Sequence, residues 1–210
     1  MKMPIASTNE LKHLLGNIDI YLLDQILKNR FDKKFKILDS GCGTGRNLIY
    51  FVKNNYNVWG IDKEPDDIKI LKYLLKSIKP EYPQKRFIAG LVEDMPYKDH
   101  EFDAIISSAV LHFAEGKIHF LSMVHEIARV LKPDGILFAR MAIDLGMEDK
   151  VKPIGDGKYL LPDGSIRFLL NKPLLNEIMD QFGFEFIEPL KAVIVDNKRC
   201  MSTLVLKKLS

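Results

Sequence analysis

The segment Ile37-Leu38-Asp39-Ser40-Gly41-Cys42-Gly43-Thr44-Gly45-Arg46-Asn47 limits the fold of this chain more than any other. A short apolar run ends in three glycines at alternate positions and then in polar residues that open a helix, the pattern of a buried parallel strand feeding a tight turn. Glycine lets the backbone turn sharply and approach a ligand closely, and free amides at a helix start favour an anionic group such as a carboxylate. A second strand, Asn57 to Asp62, ends in an acid placed to accept both hydroxyls of a ribose. In a βαβ frame the two features together describe a nucleoside site. A glycine turn made only for packing, with Asp62 merely capping the next helix, is the bland alternative.

The rest of the chain continues the frame. An amphipathic helix runs from about Asn17 to Phe31, with Ile18, Tyr21, Leu22, Gln25, Ile26 and Asn29 on one side. After Asp62, Glu64-Pro65-Asp66-Asp67 places proline and acids in a helix's first turn, where geometry and dipole favour them, and Ile68, Leu71, Leu74, Leu75 and Ile78 form its core face. Arg86 to Leu91 and Phe102 to Ser108 read as strands separated by an acidic loop from Glu93 to Glu101. A helix from about Gly116 to Leu131 is expected to bury Ile118, Leu121, Val124, Ile127 and Leu131, and Lys132-Pro133-Asp134-Gly135 turns it into a fifth strand, Gly135 to Met141. Strands alternating with helices imply right-handed crossovers. The expected fold is α/β: a Rossmann-like seven-stranded, mostly parallel sheet with helices on both faces and an antiparallel C-terminal strand. Phe184 to Val195 and Met201 to Leu206 supply the closing pair, after a helix from Lys172 to Phe182.

With 210 residues, no linker and no repeat, one domain covering 1–210 is expected. Residues 144–170 break the rhythm with an expected hairpin, Lys158 to Leu161 and Ser165 to Leu169, read as a lid or substrate insertion. Met1 to Lys12 holds no apolar run suited to a signal peptide and no stretch reaches membrane-spanning length, so the expected location is cytoplasmic with no membrane partner. Cys42 and Cys200 lack metal or redox spacing, and no metal is expected. A net charge of +3 gives no strong case for a nucleic-acid partner, and oligomeric state is left open.

The spacing G-x-G-x-G, preceded by an aspartate, departs from the dinucleotide pattern G-x-G-x-x-G and speaks against a nicotinamide oxidoreductase. Leu38-Asp39-Ser40-Gly41-Cys42-Gly43-Thr44-Gly45 resembles the first motif of class I S-adenosylmethionine-dependent methyltransferases. Glu93-Asp94-Met95-Pro96-Tyr97 with Phe102-Asp103-Ala104-Ile105-Ile106-Ser107 resembles the third and fourth motifs, and Arg129 to Leu137 the turn into the fifth strand. The resemblance covers residues 35 to 141. It implies S-adenosylmethionine as cofactor, S-adenosylhomocysteine as product, and backbone groups around Gly41, Cys42 and Gly43 on the methionine part. Asp39 would orient this loop or meet the ammonium, Asp62 would take the ribose, and Lys63 would lie beside the adenine. Val92 with Glu93 or Asp94 would read the adenine edge, and Ser108 is counted in the same set. Many family members have an aspartate where this chain has Leu91, so the contact to the exocyclic amine falls to Glu93 or Asp94, or is absent.

Arg46-Asn47 and Ala109-Val110-Leu111-His112-Phe113 resemble the tellurite-resistance branch of the family. His112, after the fourth strand, is the best placed base should an acceptor need to lose a proton, and pocket wall is its alternative. Arg140, Lys158 and Arg167 are candidates to bind an acidic substrate, and Tyr21, also counted as a candidate substrate contact, joins Gln25, Tyr159 and Phe168 as candidate lid residues, with core packing as the alternative. A small-molecule acceptor is the first expectation. RNA or protein as acceptor comes second, and Ser107-Ser108-Ala109-Val110 in place of an Asn/Asp-Pro-Pro-aromatic tetrad weighs against flipped bases. A non-catalytic cofactor-binding subunit is the third.

Overall fold

The computed structural model describes residues 7–210, so the reading of Met1 to Lys12 falls partly outside the described residues. Two short helices, α1 (Thr8–Leu15) and α2 (Ile20–Leu27), precede the first βαβ unit: β1 (Lys36–Ser40), α3 (Leu48–Lys53) and β2 (Asn57–Asp62). Then follow α4 (Pro65–Ile78), β3 (Phe87–Ala89), β4 (Phe102–Ser108), α5 (Lys117–Val130) and β5 (Leu131–Ile143). The remainder contains β6 (Lys152–Gly155), β7 (Lys158–Leu160), β8 (Ile166–Phe168), α6 (Lys172–Phe182), β9 (Phe184–Phe186), β10 (Lys191–Val195) and β11 (Arg199–Lys208).

The main sheet has the order β10-β11-β5-β4-β1-β2-β3. From β3 to β5 all pairs are parallel, and β11 runs antiparallel against β5. β9 and β10 both pair with β11, on the edge away from β5. They form the single edge strand expected over Phe184 to Val195, broken in two around Pro189, which has no N–H to give a ladder. Strand alternation builds a core on each face. Leu38, Ile61 and Ile105 point into the layer with α5 and α6, while Ile37, Val58, Ala104 and Ile106 point into the layer with α2, α3 and α4.

Three expectations need correction. On α5, Ile118 is 84% exposed, and Phe120, Met123, Val124, Ile127 and Val130 make the buried stripe. Both phases satisfy helical spacing. The phase is decided by tertiary packing, with Phe120 stacked on Phe168 at 4.8 Å. The hairpin of the insertion is a three-stranded antiparallel sheet, β6-β7-β8. Within the insertion Leu161, Phe168, Leu169 and Leu170 are buried, and Leu170 exchanges backbone hydrogen bonds with Ala142 and Asp144. The Lys132–Gly135 turn lies within β5 as an irregularity, between the pairings Phe102 with Leu131 and Ala104 with Ile136. No helix among the described residues is long and apolar enough to cross a membrane.

Candidate functional site

Between β1 and β4 the direction of strand order reverses, and ligands in such sheets bind outside the carboxyl ends of the strands at that point. A cleft of about 260 Å³ lies there, lined by Gly41, Asp62, Lys63, Val92, Glu93, by Ala109, Val110 and Phe113 from the segment after β4, and by His119 and Met123 from α5, with Leu91 completing it. Gly41 has φ +79°, and a Cβ on it would come within 2.2 Å of Val110, so only glycine lets the exits of β1 and β4 approach this closely. Gly43 and Gly45 share the left-handed region.

Asp62 at the end of β2 accepts the Gly43 amide at 2.7 Å through one oxygen and the Glu64 amide at 3.0 Å through the other. Its carboxylate is therefore fixed at the cleft mouth with lone pairs to spare. The Gly41 and Cys42 amides both donate to the Ile61 carbonyl. The Gly43 amide goes to Asp62 and the Gly45 amide to the Cys42 carbonyl, so of the amides expected to be free only those of Thr44, Arg46 and Asn47 lack an acceptor among the described residues, and the Gly41 and Gly43 carbonyls accept no hydrogen bond there. A loop offering carbonyl oxygens suits a cation. Beneath it Asp39 is 1% exposed and neither of its oxygens has a hydrogen-bond partner; burial pushes its pKa up to about 7, against the nearby Arg46 guanidinium. A buried carboxylate without a partner, under a glycine cradle that a Cβ would fill, fits a ligand that carries an ammonium and a ribose.

The loop after β3 is held from outside the cleft. Buried Glu126 accepts the Met95 amide at 2.9 Å and pairs with Arg129, whose guanidinium also donates to the Met95 and Tyr97 carbonyls. So anchored, the loop turns Glu93 inward, with its carboxylate 3.1 Å from His119 Nε2. His119 Nδ1 accepts the Glu115 amide, leaving the ring proton on the nitrogen that faces Glu93.

Not every expected residue reaches this cleft. Asp94 is exposed and pairs with Leu91 in an isolated bridge, so Glu93 alone faces inward. Cys42 is buried against Gly60 rather than lining the cleft, and burial raises its thiol pKa. Ser108 is turned toward Asp19, 3.5 Å away. Phe168 is core, not lid, and Lys158 pairs with Glu115 at 3.6 Å. Tyr21 lies under the Arg140 guanidinium, 4.6 Å from it. His119 and Met123 both line the cleft. Their spacing of four on α5 was the signal that both share a face.

A second cleft of about 250 Å³ adjoins the first at Ala109 and is lined by Arg46, His112, Arg140, Arg167 and Arg199, among others. Ala109 itself has φ +64°, a strained conformation for a residue with a side chain. His112 Nδ1 accepts the Ala142 amide at 3.2 Å, which leaves its proton on Nε2. Burial, helped by Arg167, Arg199 and Arg140, holds its pKa down at about 4. In this arrangement His112 is neutral and turns an N–H toward the cleft. Among the described residues no group of three or more His, Cys, Asp or Glu is placed to hold a metal ion.

The comparisons agree with this geometry. Residues 38–139, just under half of the chain, match the family model described as a methyltransferase domain. An uncharacterized methyltransferase of Synechocystis, sll0829, is 34% identical over 101 residues, covering 48% of this chain and 44% of that protein. The tRNA N(3)-cytidine methyltransferase METTL2 of Danio rerio is 28% identical over 200 residues, covering 86% and 54%. A crystal structure of a SAM-dependent methyltransferase from Methanosarcina mazei shares the fold at TM-score 0.70 and 22% identity, over 88% of this chain and 97% of that one. Over residues 38–139 the chain is thus similar to a methyltransferase domain, and its fold is the one seen in the S-adenosylmethionine-dependent methyltransferase of Methanosarcina mazei. It spans less than two thirds of the length of the first curated relatives it matches. None of the three proteins named above bears the tellurite-resistance designation.

Proposed function

We propose that this chain binds S-adenosylmethionine in the first cleft and catalyses methyl transfer to a small-molecule acceptor in the second, releasing S-adenosylhomocysteine. The observation that carries the reading is Asp62: a carboxylate pinned by the Gly43 and Glu64 amides at the mouth of a cleft at the switch point. Asp62 receives the ribose hydroxyls. Asp39 and the Gly41 carbonyl attract the ammonium. Leu91, Val92 and Met123 give apolar walls for the adenine, and Glu93, oriented by His119, accepts from its exocyclic amine. The cofactor supplies a methyl group already activated on a sulfonium, so the chain's own task is to align an acceptor and exclude water. Arg129 and Glu126 act at a distance by holding the loop that carries Glu93.

The tRNA-acting relative favours a nucleic-acid acceptor as the second reading. Against it, the second cleft, at about 250 Å³, has the size of a small organic molecule rather than of a splayed nucleotide with flanking backbone.

Asp62→Ala is expected to weaken S-adenosylhomocysteine binding by about 1–3 kcal/mol, the cost of hydrogen bonds to a charged group. Calorimetric titration of wild type and variant with S-adenosylmethionine, S-adenosylhomocysteine and NADH checks this. Equal affinity in the two proteins would remove Asp62 from the site, and binding of NADH alone would overturn the cofactor.

A further inference from the structure

The second cleft has a charge composition that a methyl-transfer site does not need for itself. Four arginines reach it from four separate parts of the chain: Arg46 from the turn after β1, Arg140 from β5, Arg167 from β8 in the insertion and Arg199 from the start of β11. Guanidinium groups that share one cleft give it a positive potential, which an anion relieves. Only two carboxylates meet them among the described residues. Asp19 lies 2.6 Å from Arg140 and 3.8 Å from Arg46, and Asp163 lies 3.9 Å from Arg199.

The arginines' own hydrogen bonds leave donors unused. Arg140 Nε is buried with no partner. Arg167 donates to the Ile166 carbonyl and otherwise lies over the Phe113 ring at 4.8 Å. His112 adds a neutral Nε2–H, its other nitrogen being taken by Ala142. The cleft therefore presents planar donor forks and one imidazole donor, the set that matches a carboxylate or phosphate oxygen pair. Its position fixes what such an anion would be. Ala109 lines both clefts, and Phe113, which lines the first, supports Arg167 in the second.

We propose that the second cleft is an oxyanion subsite and that the methyl acceptor is a small acid, held by its carboxylate or phosphate group on Arg167, Arg199, Arg140 and His112. This rests on the methyltransferase reading for the word acceptor, but the anion site stands on the cleft alone. Arg46 and Arg140 are tied to Asp19 and serve the fold as well, whereas Arg167 and Arg199 are available for the ligand, with Arg167 delivered by the insertion. The insertion would then set specificity by contributing one arginine rather than by opening and closing.

The test uses the full chain and calorimetric titration with succinate, inorganic phosphate and the neutral isostere succinamide, each with and without saturating S-adenosylhomocysteine. Wild type is expected to bind succinate or phosphate at least about tenfold more tightly than succinamide, because charge-assisted pairs lose their partner in the amide. Which of the two anions binds more tightly assigns the group. Arg167→Gln with Arg199→Gln is expected to weaken the anion by about tenfold or more while leaving S-adenosylhomocysteine affinity and thermal midpoint near wild type. Equal binding of succinate and succinamide, or an unchanged anion affinity in the double variant, would overturn the proposal. Anion binding without any S-adenosylhomocysteine binding would support the subsite and overturn the methyltransferase reading instead. Preference for a short oligonucleotide over both anions, lost in the double variant, would replace the small acid by a nucleic-acid backbone and overturn the proposed acceptor class.

Discussion

Replacing Asp39 with asparagine is expected to stabilise the ligand-free protein at pH 8 and to remove most of its affinity for S-adenosylhomocysteine. The side chain is 1% exposed at the end of β1, and neither oxygen has a partner. Burial is the largest influence on it and, with Asp62 adding repulsion and Arg46 opposing, lifts its pKa to about 7. In the unfolded chain an aspartate titrates near 3.9. Between these values the folded state holds a proton that the unfolded state has released, so stability falls as pH rises from about 4 to about 7 and stays low above that. The shift of roughly three units corresponds to about 4 kcal/mol of penalty at pH 8. Asparagine removes the charge but leaves a buried amide to satisfy, so a net gain of about 1–3 kcal/mol is expected.

The cofactor ammonium is the proposed partner that makes this buried acid worth its cost. Binding would keep Asp39 ionised, so affinity is expected to decline below pH 7, approaching tenfold per unit. In Asp39→Asn the loss of one charge-assisted bond, about 1.5–3 kcal/mol, should appear at every pH, and the pH dependence should vanish. Thermal denaturation of both proteins from pH 5 to 8, with calorimetry for S-adenosylhomocysteine, reads both effects. A variant less stable than wild type at pH 8 that binds the ligand equally well would show Asp39 to be structural only.

Much of the sheet was legible because its signals are local. A strand, glycine turn and acid after the next strand follow one another along the chain, and Asn171 and Gly183 bracket α6 at the residues expected. Other features had a local signal that periodicity hid. Ser7-Thr8-Asn9-Glu10 is a capping box, with Ser7 accepting the Glu10 amide and Glu10 accepting the Ser7 amide, yet α1 buries nothing and so lacks an apolar stripe to announce it. β6 is exposed throughout and shows no alternation. The phase of α5, the choice of Glu93 over Asp94, and the state of His112 were beyond local patterns. Each depends on a contact across the chain: Phe120 with Phe168, Met95 with Glu126, and Ala142 with His112. Convergence of Arg46, Arg140, Arg167 and Arg199 is of the same kind, since more than 150 positions separate the first from the last.

Asp19 belongs to that group, and its replacement by alanine is expected to be the most damaging single change outside the apolar core. Its side chain is 1% exposed. One oxygen accepts the Tyr21 amide at 2.9 Å and caps α2, while the other sits 2.6 Å from Arg140 and 3.5 Å from the Ser108 hydroxyl. The Asp19 amide donates to Asn47 at 3.1 Å, so one residue joins α2, the turn after β1, β4 and β5. Alanine loses a cap worth about 1 kcal/mol and leaves a largely buried guanidinium unpaired, for a total of about 3–5 kcal/mol. In a chain of this size that lowers the thermal midpoint by roughly 10 °C. Asp19→Asn keeps the capping oxygen and should lose less. The charge argument adds a second readout: with Asp19 gone the four-arginine cleft gains net positive charge, so inorganic phosphate should bind Asp19→Ala more tightly than wild type and restore part of its lost midpoint. A midpoint within about 2 °C of wild type, equivalent to less than 1 kcal/mol, would show that Arg140 is satisfied without Asp19. Loss of stability with no response to phosphate would separate the two roles, leaving Asp19 as a brace for the fold and removing it from the charge balance of the cleft.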